Sequence, residues 1–308
     1  VAGGLALVAV AARLLLTRHG LDWPGEEVVW ELRLLGAACA VTVGAALGVA
    51  GVLLQSLVRN PLASPDLLGL SAGASLAVVL SEPAVSGVWR AGPATVGAGA
   101  ALGVVFALSR GRAGLDRTGV VLTGVVVAVT CGAATALVRH LRPGITIGAD
   151  RALVGAISDD ATWVQVGAAG GVTVLGVLVA LLLARGLDAA ALSDDEAASV
   201  GVAVGRLRVV TFVLSGVLSA AAVVLAGPVG FVGLIAPHAV RLLAGPGHRV
   251  LLPGALLAGA GFVCAADALT RVLATGSGRL PLGVVTALLG GPVFLWLLNR
   301  TLRRGPGW

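Results

Sequence analysis

This chain predicts an all-α, polytopic membrane fold, and three observations carry that prediction. It is 57% hydrophobic and only 12% charged over 308 residues, with a mean hydropathy of +1.01. Apolar runs recur along its whole length, each close to the roughly 20 residues that a helix needs to cross a hydrocarbon core of about 30 Å. The period-2 alternation of a membrane barrel is absent.

Arginine, proline, glycine and acidic clusters divide the chain into about ten spans. They fall near 1–17, 34–58, 66–81, 92–109, 118–138, 163–185, 207–226, 231–244, 250–274 and 282–302. The first resembles the apolar core of a signal peptide but lacks a small-residue cleavage site, so it reads as a span. The acidic stretch His19–Glu31 follows as an external connection. With the N-terminus inside, twelve of the 21 arginines and no lysine fall on inner loops, a weak positive-inside vote. The whole of 1–308 reads as one transmembrane domain.

Composition excludes several classes of function. The net charge of +6 comes from arginines scattered among the spans, which is no basic stripe for nucleic acid. Cys39, Cys131 and Cys264 lie in apolar runs without metal-ligand spacing and read as small buried hydrophobes. There is no Walker A motif, dinucleotide fingerprint or metal-binding cluster. Active transport would have to draw its energy from a partner or an ion gradient.

Two spans are interrupted. Arg59-Asn-Pro-Leu-Ala-Ser-Pro-Asp66 places Asn60, Pro61 and Pro65 where the backbone must leave the helix, with Asp66 at the start of the next one. It reads as a capped surface turn or as a hinge beside a pathway. Gly227-Pro-Val-Gly-Phe-Val-Gly-Leu-Ile-Ala-Pro-His238 puts three glycines and two prolines into an apolar stretch. Broken backbone at membrane depth survives only where protein or water covers it. Gly227, Pro228, Gly230, Gly233 and Pro237 therefore point to a translocation path. The two units lie in opposite orientations, as inverted repeats do.

Other motifs have a bland and a sharp reading. Gly69-Leu-Ser-Ala-Gly73 fits a serine-nucleophile pattern but lacks the required strand; Gly69, Gly73 and Ala77 suit helix packing. Leu192-Ser-Asp-Asp-Glu-Ala-Ala-Ser-Val-Gly201 is too polar to span. Ser193 and Glu196 form a capping box, Asp194 and Asp195 suit the helix N-terminus, and Gly201 is a stop. This is a solvated connector or a docking helix on the inner surface. Asp267 and Arg271 are spaced i,i+4 in an apolar span, as an ion pair or as part of the outer mouth. Gln55 is explained by one interhelical hydrogen bond.

The chain resembles the permeases of type II ABC importers, the FecCD family, which take up iron–siderophore complexes, cobalamin or haem. The resemblance rests on Leu32-Arg33, Gly51–Gly73, Gly227–His238, His248-Arg-Val-Leu-Leu-Pro253 and Leu280–Trp296, in family order. It implies about ten spans per subunit, a second permease subunit (identical or paired) and two cytoplasmic ATPase subunits that bind ATP and magnesium. It also implies an extracytoplasmic substrate-binding protein, a bacterial cell membrane location, and no catalysis or cofactor on this chain. Leu192, Ser193, Asp194, Asp195, Glu196 and Gly201 match the coupling helix to the ATPase. Arg117 and Thr118 match the cytoplasmic gate, and Arg33 and Arg271 match arginines that dock the binding protein. The family's Leu-Arg-Leu-Pro-Arg reads Leu-Arg-Leu-Leu-Gly36 here, so one docking arginine is missing; Arg90 and Arg279 are the candidates to replace it. A ferric siderophore or similar chelate is the expected cargo, cobalamin or haem the alternative. A gradient-driven transporter and an intramembrane serine hydrolase are the readings from other classes.

Overall fold

The computed structural model describes residues 2–17, 20–21, 23, 26–81, 91–111, 114–142, 154–157, 161–274 and 279–304. Eleven α-helices lie among the described residues: α1 (Ala2–Leu15), α2 (Glu27–Val58), α3 (Leu70–Ser81), α4 (Ala91–Leu108), α5 (Arg117–Leu141), α6 (Trp163–Leu192), α7 (Asp194–Ser199), α8 (Val204–Ala226), α9 (Val232–Ala244), α10 (His248–Val272) and α11 (Leu282–Arg304). Six of them (α2, α4, α5, α6, α8 and α10) are long and apolar enough to cross a membrane, and α1, α3, α9 and the first part of α11 are shorter apolar helices. With the short polar α7 set aside, these six spans and four shorter apolar helices lie at the ten expected places in the expected order. Two-residue strands pair antiparallel at Leu16–Thr17 with Gly20–Leu21 and at Arg110–Gly111 with Gly114–Leu115.

The element boundaries differ from expectation in three informative places. The second span begins at Glu27 rather than 34. At about 1.5 Å per residue α2 is about 48 Å long and outruns the hydrocarbon core, so its first turns project outside carrying Glu27 and Glu31. The sixth span runs on to Leu192, because Asp188-Ala-Ala-Ala-Leu192 contains nothing that stops a helix. Leu192 therefore belongs to α6, and the short surface helix is Asp194–Ser199 rather than 192–201. Pro237, expected at a break, lies inside a continuous α9.

The central element is α2, buried on every side from Val43 to Gln55. It packs on α10, α8, α9 and α6, and α1 covers the far side of α10. The main apolar core is built there, from residues such as Val43, Leu53, Leu218, Leu251 and Val263. A second cluster joins α3, α4, α5 and α8 to the inner part of α2, with Leu54, Leu70, Val105 and Phe212. In lipid there is no apolar driving force between helices, so close backbone approach supplies the packing. Gly44 and Gly48 of α2 meet the carbonyls of Gly259 and Ala255 of α10, where a Cβ would collide with backbone. Gly73 and Ala77 of α3 pack in the same way on Gly97 of α4, which is the packing role expected of that glycine motif.

Gly48→Leu should destabilise the protein by about 3 kcal/mol, seen as a lower melting temperature in detergent. Gly4→Leu, at a position with open space around it, should leave the melting temperature unchanged.

Candidate functional site

Three groups of polar residues stand out: one at the end of the bundle expected to face inward, called the inner end, one where the two broken helices meet, and one at the opposite, outer end.

At the inner end, α6 passes directly into α7. Ser193 closes the first helix and caps the second: its Oγ accepts from the Glu196 N–H at 3.0 Å and donates to the Glu196 carboxylate at 2.9 Å. Gly201 ends the element with φ +83°, its N–H donating to the Ala198 carbonyl at 3.0 Å. Asp195 and Glu196 are exposed. Asp194 turns inward instead and receives three arginines. Arg59 and Arg117 each donate to Oδ1 at 2.7 Å, and Arg208 pairs with Oδ2. Burial opposes the charge on Asp194, but Arg117, Arg208 and Arg59 outweigh it and hold the carboxyl below the usual carboxylate range.

These arginines come from three elements. Arg59 ends α2 in a left-handed conformation, φ +53°, which costs a non-glycine residue about 1–2 kcal/mol. That conformation is held by two further bonds to the Ala190 carbonyl, 2.9 and 2.5 Å long. Arg117 opens α5, where Asp116 caps the helix by accepting from Gly119 N–H at 2.5 Å. Arg208 lies in the first turns of α8. Of the two expected gate residues, Arg117 joins this cluster, whereas Thr118 faces outward and is exposed. Sequence reasoning missed the parts played by Arg59 and Arg208; their shared sign and inner-loop positions were the only signal.

The two breaks meet. After α2, Asn60 holds the turn, its side chain accepting from Leu62 N–H at 2.9 Å and its carbonyl from Ala63 N–H at 3.1 Å. Pro61 follows within that turn, and Pro65 opens a 3₁₀ turn over Pro65–Leu68. Pro65 packs on Gly233 of α9, and the Phe231 N–H bonds to the Asp66 carboxylate. On the other side, α8 ends at Gly227 with φ +66°, ψ −159°, a region open essentially to glycine alone. Phe231 begins α9 at φ +68°, and the Ala226 carbonyl accepts from Ala156 N–H at 2.8 Å. Gly230 lies against Asp66 and Gly155 against Pro228. Since Arg59 ends α2 and Arg208 lies near the start of α8 at the same acidic residue, the two long–break–short units run in opposite directions.

Pro237 has a specific consequence here. It cannot donate to the Gly233 carbonyl one turn earlier. Gln55 of α2 supplies the missing donor, Nε2 to O at 3.1 Å, and its Oε1 accepts from Arg241 of α9 at 2.5 Å. Gly51 of α2, against the backbone of Gly233, makes that approach possible. Beside the break lies a cavity of about 350 Å³ between α3 and α5, lined by Asp66, Ser71, Ser75, Thr135, Arg139 and Pro228 among others. Ser71 faces this cavity, while His238 is buried and packs its ring on Phe294, 6.3 Å between centroids. The serine and histidine invoked for a hydrolase thus have different neighbours.

At the outer end, Arg33 is buried and donates to the Leu14 carbonyl at 3.0 Å, capping the last turn of α1. Arg271 is partly exposed, 3.5 Å from Asp267. Arg13, fully buried, is the stronger partner of Asp267, and its guanidinium fills the space that a side chain at Gly36 would need. The Asp267–Arg271 ion pair foreseen from spacing is therefore a three-residue cluster; Arg13 gave no sign of this beyond being an arginine in an apolar run. Arg279 is exposed at the same end, and Arg90 lies outside the described residues. No cluster of metal-ligating side chains occurs among the described residues.

Gln55→Leu leaves a buried carbonyl and a partly buried guanidinium without that partner, which should cost about 1–3 kcal/mol for each group left unpaired. Adding Pro237→Ala returns an N–H to Gly233 and should recover part of the loss in melting temperature. The stability difference between wild type and Asp194→Asn should be flat from about pH 8 to pH 5. It should shrink only below the ordinary aspartate value near pH 4, because a lowered pKa keeps the charged tie intact until pH falls through it. Melting curves across pH measure this.

Comparison with known proteins bears on this geometry. The model of the FecCD transport family matches residues 8–300. The chain is 40% identical to the Fe(3+) dicitrate transport system permease protein FecC of Escherichia coli over 95% of this chain and 89% of that one. It is 37% identical to the cobalamin import system permease protein BtuC of Halobacterium salinarum, covering 97% and 81%. It is 36% identical to the hemin transport system permease protein HmuU of Yersinia pestis, covering 91% and 85%. Among solved structures it superposes on an inward-facing metal-chelate type ABC transporter with a TM-score of 0.86, 27% identity and 97% coverage of both chains. The helix order, the paired breaks and a family match over nearly the whole length agree: this chain is a multi-pass membrane permease of ATP-binding-cassette importers and belongs to the FecCD transport family.

Proposed function

We propose that this permease, with a second identical or paired permease subunit, forms the path by which a ferric siderophore or similar iron chelate enters a bacterial cell across its inner membrane. ATP, with magnesium, is bound and hydrolysed on separate ATPase subunits, and a binding protein delivers the cargo at the outer end. The chain itself performs no covalent chemistry.

The observation that carries this reading is Asp194. It sits at the start of a short polar helix on the inner surface and is tied to α2, α5 and α8 at once. A partner that grips the exposed face of α7 (Asp195 and Glu196) and shifts it moves Asp194, and with it the arginines at the ends of three membrane helices. Arg117 is one of them, so motion at α7 reaches the start of α5 and the expected gate with Thr118. The breaks at Asn60–Pro65 and Gly227–Gly233, beside the cavity between α3 and α5, are the proposed pathway elements. They combine a helix that can bend with a lining of small and hydroxyl side chains. Arg271, partly exposed, and Arg279, exposed, are the proposed docking cations at the outer end, and Arg33 acts there by holding α1. The iron assignment is supported by the similarity to the dicitrate permease and to a metal-chelate transporter.

Asp194→Arg should lower uptake at least about tenfold in proteoliposomes holding the full complex, while its ATPase activity continues, because four cations then meet at one point. Undiminished uptake by the assembled variant would sink the coupling role. Uptake driven by an ion gradient without the ATPase would overturn the ATP-driven reading. Labelled ferric chelate, haem and cobalamin, each offered with the binding protein, decide the cargo; the ferric chelate is the expected one.

A further inference from the structure

A second polar link lies next to the arginine cluster and is not explained by it. Ser56 of α2, His248 at the first position of α10 and Asp188 in the last turns of α6 form a chain. Ser56 Oγ lies 2.6 Å from His248 Nε2, and His248 Nδ1 lies 2.6 Å from Asp188 Oδ1. The same Oδ1 accepts from the His248 backbone N–H at 2.9 Å. It thereby satisfies one of the free donors at the start of α10, whose cap residue Gly247 has no side chain to do so. The imidazole is buried, with only 6% of its side-chain surface exposed, whereas 43% of the Asp188 side chain reaches solvent.

The constellation has the composition of a hydrolytic triad, and its serine has a second partner in the backbone. Ser56 Oγ donates to the Val52 carbonyl at 2.7 Å. The hydroxyl has one proton, which serves either that carbonyl or His248 Nε2. A neutral ring that gives its one N–H to Asp188 leaves Nε2 to accept from Ser56, and only the charged ring donates to both. In either state the three side chains stay joined.

Position gives the link its meaning. Asp188 is two residues before Ala190, whose carbonyl holds Arg59, and six before Asp194. The end of α6 is thus fastened to the last turns of α2 twice, once by Arg59 and once through His248. Only the second fastening includes α10. From His248, α10 runs along the glycine face of α2 to Asp267 and Arg271 at the outer end.

We propose that His248, with Asp188 and Ser56, is a positioning latch for transport: it locks the inner ends of α2, α6 and α10 together, so that displacement of α7 moves α10 as part of the same body. This rests on the coupling role of α7 proposed above. The test measures chelate imported per ATP hydrolysed by the complete complex in proteoliposomes, for Asp188→Asn, His248→Leu and Asp194→Arg. Asp188→Asn keeps the shape and an acceptor and removes the charge, at a side chain exposed enough for the change to spare folding. The expected ratio falls roughly tenfold in His248→Leu and less in Asp188→Asn, with assembly intact and basal ATP hydrolysis within about twofold of wild type. An unchanged ratio in both latch variants, while Asp194→Arg uncouples, overturns the latch alone; an Asp194→Arg complex that transports normally overturns the coupling role beneath it. A fall in basal hydrolysis and melting temperature that matches the fall in import marks mere structural support and overturns the proposal. So does covalent labelling of Ser56 by a fluorophosphonate, which reveals a nucleophile.

Discussion

Inside a bilayer, a backbone carbonyl that loses its helical donor has to find another in the same protein. The Gly233 carbonyl is in that position because Pro237 follows four residues later, and Gln55 answers it from α2. Much of the architecture follows from that single bond. A side-chain amide reaches the carbonyl only if α2 and α9 approach to backbone contact, which Gly51 and Gly233 permit. The approach brings Pro65 onto Gly233 and Asp66 to the Phe231 N–H, so the two helix breaks become one junction. A path can run beside that junction because its irregular backbone is satisfied from within the chain rather than by lipid or water.

The inner end solves a different problem. Three arginines converge where α2, α5 and α8 end or begin, and they would repel one another without the one carboxylate they share. Asp194 is only half-buried, so each tie is worth less than its charge suggests. The arrangement matters for connectivity more than for stability. One residue on a short surface helix ties together the ends of three membrane helices. The absence of lysine suits this, since a planar guanidinium holds a carboxylate and a helix-end carbonyl together, as Arg59 does.

The fold was largely legible in the sequence. Span number and order followed from hydropathy, and Gly227, Pro65 and Asn60 fell at real breaks because their backbone requirements are local. Ser193 and Glu196 announced their cap for the same reason. What stayed hidden depends on distant partners. Pro237 reads as a breaker until Gln55, 182 positions earlier, supplies the lost donor. Leu192 reads as part of the surface helix until the alanine run before it is seen to continue α6. The convergence on Asp194, the Arg13–Asp267 pair and the Ser56–His248–Asp188 link each join residues far apart in sequence, and no periodicity or spacing records such pairings.

The buried Arg13 restricts which sequences this outer corner can accept. Its guanidinium occupies the volume next to the Gly36 backbone, and a cation withdrawn from solvent stays there only against a carboxylate such as Asp267. An arginine at position 36, which the family pattern favours, would claim the same volume. In this chain a side chain at position 36 therefore requires the Arg13 guanidinium to move aside, which leaves Asp267 with Arg271 as its remaining partner.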